Sequence, residues 1–100
     1  MWDDLYAAHA DLVLNGHNHQ YERFALQNPS GAADPNGIRE FVVGTGGAGL
    51  YPFGTIQPNS QIRDATVHGV LKLTLRAGSY EWDFRASDGT FTDSGTTACH

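Results

Sequence analysis

Two histidines separated by one residue, His17 and His19, stand at the centre of the most chemically informative stretch of this sequence. The stretch runs from residue 15 to residue 23 and reads Asn-Gly-His-Asn-His-Gln-Tyr-Glu-Arg. In an extended chain, side chains two residues apart point to the same side and lie roughly 7 Å apart. Neutral imidazoles are common ligands of zinc, iron and related ions. The pair therefore suits one shared metal ion, or two ions about 3.5–4 Å apart that each take one histidine.

The residues around this pair decide between a metal site and an accidental pair of surface histidines. The apolar run Asp11–Leu14 comes directly before Asn15-Gly16, a strong turn signal, and predicts a short buried strand. Open α/β sheets bind their ligands at the carboxyl ends of strands. Polar side chains that follow an apolar strand are costly unless they have partners. Two histidines on an exposed loop often have no function, but this context favours a metal site.

The elements that must position the histidines are a helix end and several strands. The predicted elements are a helix end at residues 2–10, strands at 11–14 and 38–44, a loop at 27–37, an irregular segment at 51–62, a hairpin with strands at 67–76 and 80–85, and a short element at 90–92. The helix followed by an apolar strand suggests a layered α/β sheet covered on both faces. The alternating aromatics Tyr80, Trp82 and Phe84 predict core.

Length, charge and cysteine content limit the classes of function. The chain has 100 residues, with 6 Lys+Arg against 11 Asp+Glu and a formal net charge of −5. That balance argues against a general nucleic-acid binder or an anionic-membrane binder, because both need a basic surface. No apolar run approaches the roughly 20 residues that span a bilayer. The single cysteine, Cys99, is a free thiol or half of a disulfide whose partner lies elsewhere.

Several residues near the histidine pair or the glycines have more than one interpretation. Arg23 either binds a substrate phosphate bidentately or pairs with Glu22 or another carboxylate. His68 donates to phosphate, orients a metal ligand or is an ordinary strand histidine. The run Gly44–Gly49 lacks the Lys-Ser/Thr pair of a phosphate-binding P-loop. We therefore expect this run to pack its backbone closely around the segment that carries the histidines.

The segment GHNHQYER closely resembles the Gly-His-x-His metal-binding block of the calcineurin-like metallophosphoesterases. Its Tyr-Glu-Arg extension is similar to the purple acid phosphatase branch and its bacterial relatives. The segments ADPNGIREFVVGTGGAG and VHGVLKLTL, with the later YEWDF, also resemble the region after that block. The resemblance covers nearly the whole chain. It implies a two-layer β-sandwich flanked by helices, with a dinuclear metal centre on loops at strand ends.

The resemblance also implies roles for individual residues. It implies that His17 binds the second metal ion and His19 the first, in a pair of divalent or trivalent ions such as Fe, Zn or Mn. The implied reaction is hydrolysis of a phosphate ester, in which both ions neutralise charge and activate water for in-line attack on phosphorus. The residues expected to support the ligands or to contact the substrate are Asn18, Tyr21, Arg23 and His68. The tyrosinate that colours purple phosphatases belongs to an earlier block, so Tyr21 is not expected to be that ligand.

The earlier blocks of this family are absent from the sequence. Neither Asp-x-His, Gly-Asp-x-x-(Asp or Tyr) nor Gly-Asn-His-(Asp/Glu) occurs in it. We therefore expect residues 1–100 to be the C-terminal part of one catalytic domain, of class α/β (α+β) but here mostly β with one helix end. Its expected partner is the missing N-terminal part of the same domain. The chain alone is expected to be inactive and to bind divalent metal weakly.

Two alternatives to a phosphatase stay open. A phosphodiesterase or nucleotidase on the same fold would carry the same ligand block. A non-catalytic β-rich binding module would carry the His-Asn-His triplet as a surface accident. The scarcity of lysine, the many Ser, Thr and Gly residues and the position of Cys99 favour a secreted or periplasmic/extracellular protein.

Overall fold

The computed structural model describes all 100 residues as one short helix and seven strands. The elements are α1 (Trp2–Ala7), β1 (Leu12–Asn15), β2 (Tyr21–Phe24), β3 (Arg39–Val43), β4 (Ser60–Asp64), β5 (Gly69–Leu75), β6 (Ser79–Ala86) and β7 (Thr92–Ala98). The helix has six residues, far fewer than a helix needs to cross a bilayer.

The first sheet is mixed and has the strand order β1-β3-β2-β4. β1 lies parallel to β3, whereas β2 runs antiparallel to both β3 and β4. Because β1 and β3 are parallel, the segments that follow them leave the sheet at the same edge. β2 begins at that edge as well, since Tyr21 is paired with Val43 at the end of β3. The connection from β1 to β2 therefore crosses over the end of β3.

The second sheet is antiparallel and has the order β5-β6-β7. Leu71 is paired with Phe84 and Leu73 with Trp82, so the apolar sides of β5 and β6 share one face. β7 consists largely of small polar residues and pairs along most of β6. The hairpin expected from the period-two alternation is confirmed.

The core lies between the two sheets. Tyr21 of β2 packs on Phe84 of β6 with ring centroids 4.2 Å apart, and Phe41 of β3 meets Trp82 of β6 edge-on at 5.6 Å. Aromatic pairs of this kind add about 0.5–1.5 kcal/mol each to the free energy of unfolding, beyond the area they bury. The buried apolar cluster consists of Tyr21, Phe41, Val67, Tyr80, Trp82 and Phe84. The prediction that the β6 aromatics form core is confirmed.

A buried ion pair joins the two sheets beside this core. Asp93 of β7 accepts a hydrogen bond from the Tyr21 hydroxyl at 2.7 Å and another from Arg23 Nε at 2.8 Å. The guanidinium groups of Arg23 and Arg39 also lie over the Trp82 ring, 5.1 and 4.9 Å from its centroid. These contacts hold β2 against the second sheet. They thereby also hold the point where the connection from β1 enters β2.

The expectation of a layered α/β sheet is not confirmed, because the chain is mostly β and α1 buries none of its residues. The prediction of a buried strand at Asp11–Leu14 is wrong in its burial. Leu12 and Val13 are only half-buried, and Leu14 is 51% exposed. β1 is an edge strand whose pairing partner, β3, lies on one side only. A run of apolar residues indicates what a strand can bury, and not whether another element covers it.

Three strands were missed or misjudged in the sequence. β4 lies across the end of the segment predicted to be irregular, and β7 replaces a short element with a strand of seven residues. β2 was not predicted as a strand at all. All three are short or rich in polar residues, and each is held by pairing with a more apolar or better-packed neighbour.

Candidate metal-binding loop

Both candidate metal ligands lie in the connection from β1 to β2, residues Gly16–Gln20, here called the histidine loop. His17 is exposed and its ring makes no hydrogen bond within the chain, whereas His19 is half-buried. Gln20 is buried and its backbone carbonyl accepts from Gly44 N–H at 3.0 Å. The loop is thus anchored at its β2 end and open to solvent at His17.

The glycine at the end of β3 is required by the crossing of this loop. A Cβ on Gly44 would overlap the backbone carbonyl of Asn18 and would crowd the carbonyl oxygen of Gly16. Gly16 itself lies close to Val43, where a Cβ would stand 3.2 Å from the carbonyl oxygen. The expected close packing of the glycine-rich run around the histidines is therefore present at its first residue.

The ring of His19 is held by the segment that follows the glycine-rich run. Its Nδ1 lies 2.9 Å from the carbonyl oxygen of Gly49. A carbonyl can only accept, so Nδ1 carries the proton, and in the neutral ring Nε2 keeps its lone pair. The Tyr51 ring packs against the imidazole with centroids 5.3 Å apart, and its hydroxyl donates to Asn18 Oδ1 at 3.3 Å. His19 therefore has one ring nitrogen satisfied by the protein and one available to a ligand.

The donor set of the histidine loop fits a metal ion, but only in part. A neutral imidazole whose other nitrogen donates to a carbonyl is a common form of a metal-bound histidine. His17 is exposed, and no hydrogen bond within the chain holds its ring. However, the structure has no group of three or more His, Cys, Asp or Glu side chains placed to hold a metal ion. Catalytic zinc sites use three protein ligands, so a complete site needs donors beyond these two.

Tyr21 and Arg23, expected near the site, instead face the core between the sheets. Burial, reinforced by the hydrogen bond to Asp93, raises the pKa of the Tyr21 phenol well above its ordinary value. The phenol therefore stays protonated and serves as a donor. Arg23 binds Asp93 through Nε at 2.8 Å and through an Nη at 3.2 Å. Of the carboxylates in the chain, the one that pairs with the Arg23 guanidinium is Asp93 rather than Glu22.

His68 lies beside the glycine-rich run, just before β5. Its Nε2 is 2.9 Å from the carbonyl oxygen of Ala48, the residue before Gly49. Next to it, the Thr45 hydroxyl donates to the Gly69 carbonyl at 2.9 Å, and the Gly69 N–H donates to the Thr45 carbonyl at 3.0 Å. His68 thus contacts the segment that holds His19. It makes no hydrogen bond to the histidine loop itself.

The contact of Gly49 with His19 belongs to the expected packing of the Gly44–Gly49 run around the histidines, whereas Tyr51 is a contributor that the sequence did not indicate. Gly49 acts through its backbone carbonyl, which carries no side-chain signal. Tyr51 follows the glycines in a segment interpreted only as irregular. Its position two residues after the glycine-rich run is the one sequence signal for this contact.

Together these features define a mostly β segment of two sheets, with two neighbouring histidines on a loop at one sheet edge. The chain is 35% identical over 98 residues to an Arabidopsis thaliana protein named "Probable inactive purple acid phosphatase 1". The match covers 86% of this chain and 16% of the relative, so the chain spans about a sixth of that protein's length. No family model matches the chain, and neither does any solved structure. The chain is therefore similar to a segment of a purple acid phosphatase-like protein.

Proposed function

We propose that this chain is the C-terminal part of a purple acid phosphatase-like metallophosphoesterase domain and supplies His17 and His19 as ligands of a dinuclear metal centre. The observation that carries the proposal is the state of His19, whose Nδ1 donates to Gly49 while Nε2 is left for a ligand. The similarity to a purple acid phosphatase-like relative supports it.

The role of the chain in the proposed reaction is to bind and orient. His19 offers Nε2 from a ring held on one edge and one face, and His17 adds a second imidazole from the exposed part of the loop. The bound ions would supply Lewis-acid stabilisation of the negative charge on a phosphate ester and would activate water. Gly44 allows the histidine loop to lie directly on the end of β3, which limits how far the ligands can move.

The remaining ligands of the centre would come from the preceding part of the same domain. The structure leaves a suitable surface for it, since Leu14 of β1 and Val70 of β5 are 51% and 63% exposed and lie along one groove. A groove beside the histidine loop is lined by apolar residues that include Leu14, Val43 and Leu71. Exposed apolar surface of this kind marks an interaction site. The relative, of which 84% lies outside the match, has ample chain to cover it.

A non-catalytic role is a second candidate, favoured by two observations. The relative's own name describes it as inactive, and the chain by itself assembles no group of three or more ligands. In that case the histidine loop would bind metal without turnover, or would be a surface feature only. A phosphodiesterase or nucleotidase on the same fold would share the metal site and differ in substrate. An extracytoplasmic location remains part of the proposal, on the composition alone.

Activity of the longer protein that contains this chain separates these functions. The substrate is p-nitrophenyl phosphate, with bis(p-nitrophenyl) phosphate for a diesterase, and the variants are His17→Ala and His19→Ala. The matched control is His9→Asn, because His9 is exposed, lies outside the site and has a left-handed φ of 61° that asparagine tolerates. Loss of bound metal and of turnover in both variants, but not in the control, supports the proposal. Undiminished turnover in either variant contradicts it.

A further inference from the structure

Residues Ala48–Tyr51, here called the strap, are contacted by side chains from two distant parts of the chain. The Ala48 carbonyl lies 2.9 Å from His68 Nε2, and the next carbonyl, that of Gly49, lies 2.9 Å from His19 Nδ1. Tyr51 packs on the His19 ring and donates to Asn18. Two imidazoles, 49 positions apart in the sequence, thus donate to consecutive carbonyls of one short segment.

The strap has little else to hold it in place. Residues 46 to 51 form no backbone–backbone hydrogen bond, the last one before them being that between Thr45 and Gly69. A Cβ placed on Gly46, Gly47 or Gly49 would meet no atom within 4 Å, so nothing packs on the side of these glycines where a side chain would stand. Glycine-rich backbone loses much conformational freedom when it is ordered. The contacts of His68, His19 and Tyr51 are therefore the ones that determine where the Gly49 carbonyl lies.

The position of that carbonyl decides which nitrogen of His19 is available. With Gly49 O in place, the neutral imidazole is protonated on Nδ1 and keeps the lone pair on Nε2. Without this partner, either nitrogen can carry the proton and the ring can turn. A hydrogen bond to the nitrogen opposite the ligand is the usual means by which proteins fix the tautomer and direction of a metal-binding histidine.

We propose that His68 is a positioning residue: it anchors the strap through Ala48, and the strap fixes His19 as the Nδ1–H tautomer with Nε2 directed outward. The consequence for metal affinity rests on the proposed function, whereas the consequence for the tautomer does not. His68 acts only through the strap and touches neither ligand. This role distinguishes it from the substrate contact and from the ordinary strand histidine that the sequence also allowed.

The tautomer of His19 can be read from two- and three-bond ¹H–¹⁵N correlations of the imidazole rings, recorded without metal in mildly alkaline buffer. The variants are His68→Leu, which removes the donor, and His68→Gln, whose amide nitrogen can replace Nε2. We expect Nδ1–H in the wild type and in His68→Gln, and a mixture of the two forms in His68→Leu. His9→Asn is the control and should leave the His19 signals unchanged.

Metal affinity gives the second readout, with Zn²⁺ as the probe in a calorimetric titration. Loss of an outer partner typically lowers metal affinity by 10- to 100-fold, so we expect at least a roughly tenfold loss in His68→Leu and recovery in His68→Gln. His19→Asn, which keeps a donor near Gly49 but lacks Nε2, should hold the strap and lose the ion. These two variants separate anchoring of the strap from ligation.

The outcomes distinguish the two proposals. An Nε2–H tautomer in the wild type would overturn the positioning role even if His68→Leu did not fold. So would an unchanged tautomer in a folded His68→Leu. A shifted tautomer there with an unchanged Zn²⁺ affinity would support the positioning role and contradict ligation by His19. A tautomer shift in His68→Leu without Zn²⁺ binding by any form would support the positioning role and contradict the proposed metal function.

Discussion

Gly44 lies against the backbone carbonyl of Asn18, so closely that no side chain fits between them. This contact arises because the histidine loop must cross the end of β3 to connect β1 with β2. It joins the sheet topology to the site, since Asn18 stands between the two candidate ligands. The geometry of the histidine loop is thereby tied to one glycine in a different part of the sequence.

Substitution of Gly44 by alanine tests this contact. The added methyl group must displace the backbone of the histidine loop, and overpacking of this kind costs about 1–3 kcal/mol of unfolding free energy. We expect Gly44→Ala to lower the urea midpoint and to weaken Zn²⁺ binding together. Gly46→Ala is the matched control, because a Cβ there meets no atom within 4 Å. Equal stability and equal Zn²⁺ affinity for the two variants would contradict the account of the crossing.

Two aspartates pair with arginine, Asp93 between the sheets and Asp83 at the surface. We expect their replacement by alanine to lower the free energy of unfolding by very different amounts. Removal of the Asp93 carboxylate leaves Arg23 and the Tyr21 hydroxyl without their partner in the core. We expect Asp93→Ala to cost about 3–5 kcal/mol, as for a broken buried ion pair. Asp83→Ala removes the partner of the largely exposed Arg85 and should cost less than about 1 kcal/mol. Urea denaturation of both variants measures the contrast, and similar costs would count against a buried link.

The raised pKa of Tyr21 predicts a loss of stability in alkaline solution. In the folded chain the phenol keeps its proton where an unfolded tyrosine, with a pKa of 10.0, releases it. The unfolded state then binds fewer protons, so the free energy of unfolding falls as the pH rises above about 10, by up to about 1.4 kcal/mol per pH unit for this group. Its contribution is fully present at lower pH.

Tyr21→Phe removes this titration and should flatten the alkaline part of the curve. Chemical denaturation of the wild type and of Tyr21→Phe between pH 7 and pH 11.5 provides the measurement. Below about pH 9 the two stability curves should run parallel, with the variant lower because the hydrogen bond to Asp93 is lost. Curves that stay parallel above pH 10 would show that this phenol does not titrate as the structure requires.

Because Val70 and Leu75 are exposed, we expect their substitution to leave the free energy of unfolding of this chain nearly unchanged. Val70→Ser and Leu75→Ser should each change the free energy of unfolding by less than about 0.5 kcal/mol, because both side chains already lie in water. Both should reduce binding of the dye ANS, whereas Lys72→Ser on the same strand should not. In a chain that includes the proposed preceding part of the domain, Val70→Ser should instead lower the free energy of unfolding. A large cost in the chain alone would mean that these residues are already packed.

The sequence predicted the parts of the fold that bury a regular apolar pattern. The alternation through Leu71 and Leu73 opposite Trp82 and Phe84 specified the β5–β6 hairpin, because period two places these side chains on one face. β4 and β7 carry no such pattern and exist because neighbouring strands offer them hydrogen bonds. Leu14 shows the opposite error, an apolar residue that nothing in the chain covers.

The sequence indicated the histidine loop and the packing of the glycine-rich run on it, and it did not indicate which individual contacts hold His19. The spacing of His17 and His19 directly after a strand is a local signal that the sequence carries by itself. The partners of His19 are a carbonyl 30 positions away and an aromatic ring from an irregular segment, and neither has a local signature. Arg23 was ambiguous for the same reason, since its carboxylate lies 70 residues further along the chain.

The central claim is that His17 and His19 bind the metal, and a Zn²⁺ titration of the chain labelled with ¹⁵N at its five histidines tests it most directly. We predict that the ring nitrogen signals of His17 and His19 shift first and together, with His19 changing at Nε2, while those of His9 and His100 stay in place. Shifts spread equally over all five rings, or no shift at His17 and His19, would contradict the account.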